Sequence, residues 1–214
     1  VQTCALPICE SVGIKAELVH LNDNINQEKL LNLIAQLNKE IELDGFIVQL
    51  PLPESINVQK VIESIDPSKD IDGFTNDNIG SITSKKKKLM PATGLGVMTL
   101  ISRYNIDLDS KKCVVLGASR NVGGAIAQML VEREDVTVTV CNSKTKNLKS
   151  ITLDADLIIS AVGKNGAAIS ANRIKRTAPI AKLGATRQLL EVKVCSKMAR
   201  SCSLSPLVPT TACT

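Results

Sequence analysis

The chain has 214 residues, of which 44% are hydrophobic and 22% charged, a composition typical of a globular protein with its own core. Aromatic residues make up only 1%, so Ile, Leu, Val and Ala must fill that core, which suits an α/β protein with buried parallel strands. The net charge of +5 comes largely from the lysine run at 85–88 and from the C-terminal region. Neither block has the interleaved aromatic residues that stack on bases, so we expect no nucleic-acid partner.

The sequence lacks the patterns that are typical of membrane proteins and of metal-binding proteins. No apolar run reaches the roughly 18 residues that span a bilayer, and residues 1–8 lack the basic start of a signal peptide. We therefore expect no membrane partner and a cytoplasmic location. The seven cysteines form no C-x-x-C pair and the single His20 has no evident partner, so we expect neither a metal site nor a disulfide framework.

The first part of the chain alternates strand-like and helix-like segments. Residues 14–21 and 45–50 read as strands, and the apolar residues of 27–39 and 57–65 recur at helical spacing. A β-α-β-α order predicts a parallel sheet. The polar segment 70–78 contains a glycine and is predicted to be a functional loop.

The second part has the order of a nucleotide-binding half. A helix at 94–104 is expected to bridge two lobes. Strands are predicted at 112–116, 136–141 and 157–162, and helices at 121–132 and 147–153. Beyond Lys175 no sustained period is visible, and the next apolar strand that such a sheet needs is not evident.

A glycine-containing turn joins the strand at 112–116 to the following helix. Gly117 permits a tight turn, Gly123 lets the helix approach the sheet, and the helix N-terminus offers free N–H groups to a pyrophosphate. Ser119 stands where a dinucleotide fingerprint has its second glycine. A tight βα turn without a ligand is the alternative, but the strand before and the helix after favour a cofactor.

The end of the second strand of this half indicates which cofactor is bound. NAD-preferring sites place Asp or Glu there to bind the ribose hydroxyl, whereas this chain has Asn142, Ser143 and Lys144. A hydroxyl and a cation suit a 2′-phosphate, so the sequence favours NADP, with NAD possible.

Longer motifs resemble one family. Residues 44–53 (DGFIVQLPLP) and 67–74 (PSKDIDGF) resemble signatures of the methylenetetrahydrofolate dehydrogenase/methenyltetrahydrofolate cyclohydrolase family. Residues 91–94 resemble its Pro-Cys-Thr-Pro stretch, and 117–123 its Gly-Arg-Ser-x-x-Val-Gly turn. Residues 143–148 and 161–164 also match, so the resemblance runs from 9 to 175 in the family's order.

The resemblance implies a fold and a reaction. The fold is α/β, a partial N-terminal α/β substrate lobe plus a Rossmann-like NAD(P)-binding lobe, truncated. The expected divisions are a non-native leader (1–8), a partial folate lobe (9–93), an NAD(P)-binding lobe (94–175) and an aberrant tail, disordered or frame-shifted (176–214). The family oxidises 5,10-methylenetetrahydrofolate with NADP and hydrolyses the product to 10-formyltetrahydrofolate. A tetrahydrofolate derivative is therefore the expected ligand, and the family commonly forms homodimers.

The resemblance also implies site residues. Gln49 would lie beside the reacting centre and assist a catalytic lysine, and Asp72 would bind the pterin edge, which a carboxylate can do through two parallel bonds. Both count as catalytic candidates, and Val48 and Leu50 complete the substrate site. The implied cofactor contacts are Gly117, Ala118, Ser119, Val122, Gly123, Ser143 and Lys144. Taken alone, Gln49 could instead satisfy a backbone group and Asp72 could be a turn residue.

Several positions depart from the family's pattern. The lysine of the family's Tyr-x-x-x-Lys helix falls at Ala5 and its tyrosine at Val1, and neither side chain can exchange a proton. Ala118 replaces an arginine that binds the 2′-phosphate, with Arg120 expected to point elsewhere. Gly94 replaces a proline, which is expected to loosen its loop. We therefore expect the chain as written to be inactive.

Two other functions stay open at this point. The chain could be a non-catalytic NAD(P)-binding remnant, which binding without turnover would favour. It could also be a two-lobed dehydrogenase of the shikimate type, although the motifs at 44–53 and 67–74 argue against that.

Overall fold

A computed structural model describes residues 5–22, 25–84, 88–133, 135–162, 180–182 and 191–196. The described residues form two sheets, one in each lobe. Most of the lysine run, the 163–164 end of one family motif and most of the predicted tail lie outside the described residues. No helix in the described ranges is long and apolar enough to cross a membrane.

The N-terminal lobe follows the predicted alternation closely. Its core contains Leu30, Ile34, Phe46 and Val61, all fully buried, so the apolar faces of the predicted helices do point inward. The elements are α1 (Ala5–Ser11), β1 (Lys15–His20), α2 (Gln27–Lys39), β2 (Gly45–Val48), α3 (Val58–Ser64) and α4 (Asn76–Ser81).

The nucleotide lobe contains a parallel sheet with helices packed against it. Its elements are α5 (Ala92–Arg103), β3 (Lys111–Leu116), α6 (Ala125–Val131), β4 (Val136–Cys141), α7 (Leu148–Asp154), β5 (Leu157–Ser160) and β6 (Ile180–Lys182). The order is β4-β3-β5-β6, and every pair is parallel. All four residues of β5 are buried, which fits the apolar run at residues 157–159.

The prediction that no strand follows Lys175 is wrong. β6 extends the nucleotide sheet, and β7 (Glu191–Ser196) lies in the other sheet between β1 and β2, antiparallel to both. β1 and β2 therefore run in the same direction but are not neighbours. The predicted parallel sheet would require them to be adjacent. β6 has only three residues, too few to show a period. β7 alternates Val192 and Val194 with polar residues, a strand signal that the sequence does contain.

Two local predictions also need correction. The helix expected at 121–132 begins as a π-helical turn at Arg120–Gly124, because the Gly124 N–H bonds the Ser119 carbonyl five residues earlier at 2.8 Å. Gly94 does not loosen a loop, since it lies buried in the first turn of α5. A Cβ there would stand 2.7 Å from the Met129 sulfur, so the methionine fills the space that a side chain would need.

The predicted functional loop is organised by one buried carboxylate. Asp70 is 1% exposed and accepts hydrogen bonds from the backbone N–H of Gly73 (2.9 Å), the backbone N–H of Thr75 (2.8 Å) and the Asn78 amide (3.0 Å). Thr75 caps α4, so the segment predicted as loop over 70–78 becomes helical from Asn76. We call residues 70–75 the Asp70 loop; Asp70 sets its shape.

An Asp70→Asn substitution should therefore destabilise the protein. It replaces one acceptor oxygen with a donor that faces other donors, and a buried unsatisfied group costs about 1–3 kcal/mol. Urea unfolding followed by circular dichroism measures the change. Asp107→Asn is the matched control, because Asp107 is exposed and an amide oxygen can still accept its bond from the Asp109 N–H. Equal stability of the two variants would contradict the role given to Asp70.

Candidate cofactor and substrate cleft

The glycine turn (residues 117–124) lies at the switch point of the parallel sheet. From β3 the chain passes to β4 on one side and later to β5 on the other. In doubly wound sheets, such a reversal opens a crevice at the carboxyl ends of the two central strands, and nucleotides bind there. Gly117 follows β3 directly, and Ala161 follows β5.

The backbone of this turn leaves no room for side chains at its two key glycines. Gly117 has φ +100°, and a Cβ there would lie 2.6 Å from the Ala161 carbonyl oxygen. A Cβ on Gly123 would lie only 1.8 Å from the Gly117 carbonyl oxygen. The helix start is thereby held against the sheet with its N–H groups at the crevice, an arrangement that fits a pyrophosphate.

The remaining cofactor candidates in the turn differ in exposure. Ala118 and Ser119 are exposed, whereas Val122 is half-buried against the core of the nucleotide lobe. Ser119 accepts a bond from the Gly123 N–H at 3.4 Å, so it helps to cap the helix start. Its hydroxyl proton stays available for a ligand.

The turn after β4 offers a hydroxyl and a cation. The Asn142 side-chain oxygen accepts from the Lys144 N–H at 2.9 Å, which holds Asn142 within the turn. Ser143 and Lys144 are exposed. No acidic residue occurs from 142 to 147, so a 2′-phosphate would meet no repelling carboxylate within this turn.

Gln49 stands directly after β2 and is partly exposed. Its amide nitrogen donates to the Leu50 carbonyl oxygen at 3.0 Å. Val48 is buried and Leu50 packs against the same core, so these two can face a ligand mainly through their backbone. The side chain of Ala5, in contrast, lies outside the described residues, although its backbone begins α1.

Asp72 lies in the Asp70 loop, two residues after an isolated parallel bridge between Asp70 and Phe46 of β2. The bridge places the start of this loop beside β2, the strand that Gln49 follows. The Asp72 carbonyl accepts from the Ala92 N–H at 3.3 Å. The loop is thus attached to the start of α5, which belongs to the nucleotide lobe.

The two lobes also meet at the glycine turn. Arg120 donates to the side-chain oxygens of Gln59 and Asn76 on the N-terminal lobe. Ile82, after α4, packs with Ala125 and Met129 of α6. The Asp70 loop, α4 and the glycine turn are consequently joined in one continuous set of contacts.

These cross-lobe contacts escaped the sequence analysis. Gln59 and Asn76 are separated from Arg120 by 61 and 44 positions, and no local pattern links residues so far apart. The sequence predicts that Arg120 points elsewhere on the turn, and its side chain contacts the other lobe.

The described cysteines of the nucleotide lobe are buried. Burial raises the pKa of Cys113 to about 11, and it also raises the pKa of Cys141, so both thiols stay protonated at neutral pH. No group of three or more potential metal ligands occurs among the described residues.

The chain matches two family models. Residues 5–72 match the catalytic domain of tetrahydrofolate dehydrogenase/cyclohydrolase, and residues 91–202 match its NAD(P)-binding domain. The match extends on both sides beyond the span of 9–175 indicated by the motifs.

Individual proteins show the same similarity. The chain is 41% identical over 181 residues to bifunctional protein FolD of Porphyromonas gingivalis, covering 83% of this chain and 61% of that protein. The 5,10-methylenetetrahydrofolate dehydrogenase structure from the silkworm Bombyx mori superposes with TM-score 0.80 at 38% identity, covering 87% of this chain and 68% of that one. The Trypanosoma brucei N5,N10-methylenetetrahydrofolate dehydrogenase-cyclohydrolase, solved with NADP and an inhibitor, gives TM-score 0.69 at 32% identity over 75% of this chain and 55% of that one.

The chain spans less than two thirds of the length of the Porphyromonas relative. Both family models match in the expected order, and together they cover most of the chain. The chain belongs to the tetrahydrofolate dehydrogenase/cyclohydrolase family.

Proposed function

We propose that the cleft between the two lobes is the binding site of the family reaction, in which 5,10-methylenetetrahydrofolate is oxidised with NADP and the methenyl product is hydrolysed to 10-formyltetrahydrofolate, although the chain as written lacks the group that moves the proton. The observation that supports this most directly is the closed glycine turn at the switch point, joined by Arg120 and α4 to the Asp70 loop. A shikimate-type dehydrogenase has no support from the relatives.

The glycine turn is the proposed cofactor site. Gly117 and Gly123 allow the close backbone approach, and Ser119 adds a hydroxyl at the helix start. Ala118 and Val122 complete the turn. Ser143 and Lys144 would face the 2′-phosphate. Bound NADP would supply the hydride acceptor.

Gln49 and Asp72 are the proposed substrate-side residues. Asp72 would accept two N–H bonds from the pterin edge, which fixes the orientation of the folate. Gln49 would position the reacting carbon, with its amide able to donate and accept. The backbone of Val48 and Leu50 would line the same wall.

The proton-transfer group is the missing part. By family resemblance a lysine acts at the position of Ala5, and a methyl group can neither give nor accept a proton. We therefore propose that the chain as written binds NADP without enzyme-like turnover. The expected cytoplasmic location stays a prediction.

Lys144→Gln should weaken NADP binding about three- to tenfold and leave NAD binding unchanged, because only NADP has the phosphate that the cation would attract. Titration of the reduced cofactors by fluorescence measures both affinities. The loss should shrink at high salt, where charges are screened. Lys149→Gln, an exposed lysine on α7, is the control. Equal weakening of both cofactors by Lys144→Gln would refute the assignment.

Ala5→Lys should restore cyclohydrolase activity by at least about tenfold over the parent, since a positioned acid–base group typically contributes about 10²–10⁴. The decay of 5,10-methenyltetrahydrofolate absorbance gives the rate, and production of reduced cofactor from methylenetetrahydrofolate gives the dehydrogenase rate. Ala5→Met controls for side-chain length. Enzyme-like turnover by the parent chain would overturn the proposed loss.

We also propose a homodimer formed through the nucleotide lobe. Among the described strands, β4 lies at the edge of its sheet, and Val140 on it is 43% exposed. Light scattering should give about twice the chain mass of 22.9 kDa. Val140→Lys should shift the protein towards monomer, because it places a charge in the contact, whereas Val131→Lys on α6 should not. A monomer at all concentrations would contradict the proposal.

A further inference from the structure

Arg120 lies on the glycine turn, but its guanidinium donates hydrogen bonds to residues of the N-terminal lobe. One guanidinium nitrogen donates to the Gln59 side-chain oxygen at 3.3 Å, and another donates to the Asn76 side-chain oxygen. Among the residues that the structure describes, Arg120 has no carboxylate as a direct partner. The oxygens of two neutral side-chain amides therefore accept the hydrogen bonds of the Arg120 guanidinium.

Both side-chain amides also donate a hydrogen bond to the same carboxylate, that of Glu63. The Gln59 amide nitrogen donates to Glu63 Oε1 at 2.8 Å, and the Asn76 amide nitrogen donates to the same oxygen at 3.5 Å. A guanidinium can only donate and a carboxylate can only accept. The charges at the two ends consequently require both amide oxygens to face Arg120 and both amide nitrogens to face Glu63.

We infer that these four residues form a clasp between the lobes, with Glu63 and Arg120 as positioning residues that never touch each other. Glu63 orients the two amides, and the amides hold the glycine turn against α3 and α4. We call Gln59, Glu63, Asn76 and Arg120 the amide clasp.

The amide clasp links the two proposed walls of the cleft. Asn76 opens α4, directly after Thr75, whose N–H is bound by the Asp70 carboxylate. The clasp thus joins the glycine turn to the loop that contains Asp72. Together with the Ala92–Asp72 bond and the packing of Ile82 on α6, it sets the distance between the two proposed walls of the cleft, a consequence that rests on the proposed function.

The size of the effect should be modest, because all four side chains are exposed and exposed polar pairs contribute little each. The network should nevertheless behave as a unit. If either charged end is removed, the amides are free to rotate, so a second removal should add little.

Hydrogen exchange measured by NMR tests the clasp without any ligand. Arg120→Met and Glu63→Met should each speed exchange of the Gly124 and Ile79 amides about three- to tenfold, because local opening becomes easier. The double variant should exchange no faster than the single ones. Arg103→Met and Glu54→Met remove exposed charges elsewhere and should leave both amides unchanged. Additive effects, or no change at these two amides, would overturn the clasp.

Ligand titration tests the consequence for the cleft. Each single variant should weaken NADP binding about threefold or more, while adenosine 2′,5′-bisphosphate, which reaches only the nucleotide lobe, should bind as before. If Arg120 instead binds a phosphate directly, Arg120→Met weakens both ligands and Glu63→Met neither, and the clasp is then wrong. If the parent chain binds no NADP, the proposed function fails, and hydrogen exchange still decides the clasp.

Discussion

The close approach of backbone to backbone at the glycine turn is the constraint on which the nucleotide lobe depends. A Cβ at Gly123 would fall 1.8 Å from the Gly117 carbonyl oxygen, and a Cβ at Gly117 would fall 2.6 Å from that of Ala161. These distances require glycine at both positions, and they bring the start of the helix onto the ends of β3 and β5. The helix N–H groups then face the crevice, and the cofactor contacts proposed for residues 117–123 follow from this placement.

A second constraint acts in the N-terminal lobe, where Asp70 organises the loop that presents Asp72. Its buried carboxylate satisfies three donors, so the loop has one defined shape. The same loop bonds the start of α5 through Ala92 and leads into α4, which Arg120 holds from the other side. A substrate-side loop and a cofactor-side turn, far apart in sequence, are connected in this way by polar contacts, with the apolar packing of Ile82 against α6 beside them.

The proposed function divides between this described scaffold and one chemical group. The turn, the Asp70 loop and Gln49 depend on backbone geometry and hydrogen bonds that the described residues still make. Proton transfer is proposed to depend on the side chain at position 5, and the alanine there has no group that exchanges a proton. Under this proposal, binding and catalysis can separate, because the groups proposed to hold ligands and the group proposed to move a proton lie on different elements.

The sequence by itself determined most of the local elements between residues 14 and 160, and its motifs supplied the residues of the two proposed binding walls. Hydrophobic period placed α2 at its observed bounds, and the strand–glycine–helix order located the turn at Gly117, since both signals lie within a few neighbouring residues. Sheet partners were beyond its reach: β7 enters between β1 and β2, and no local pattern states which strand lies beside which. Only the tertiary structure revealed Asp70 as the loop's organiser and the contact of Arg120 with Gln59 and Asn76. Those interactions join groups that come together only on folding. Their strength depends on distances in space, so they produce no periodic pattern in the sequence.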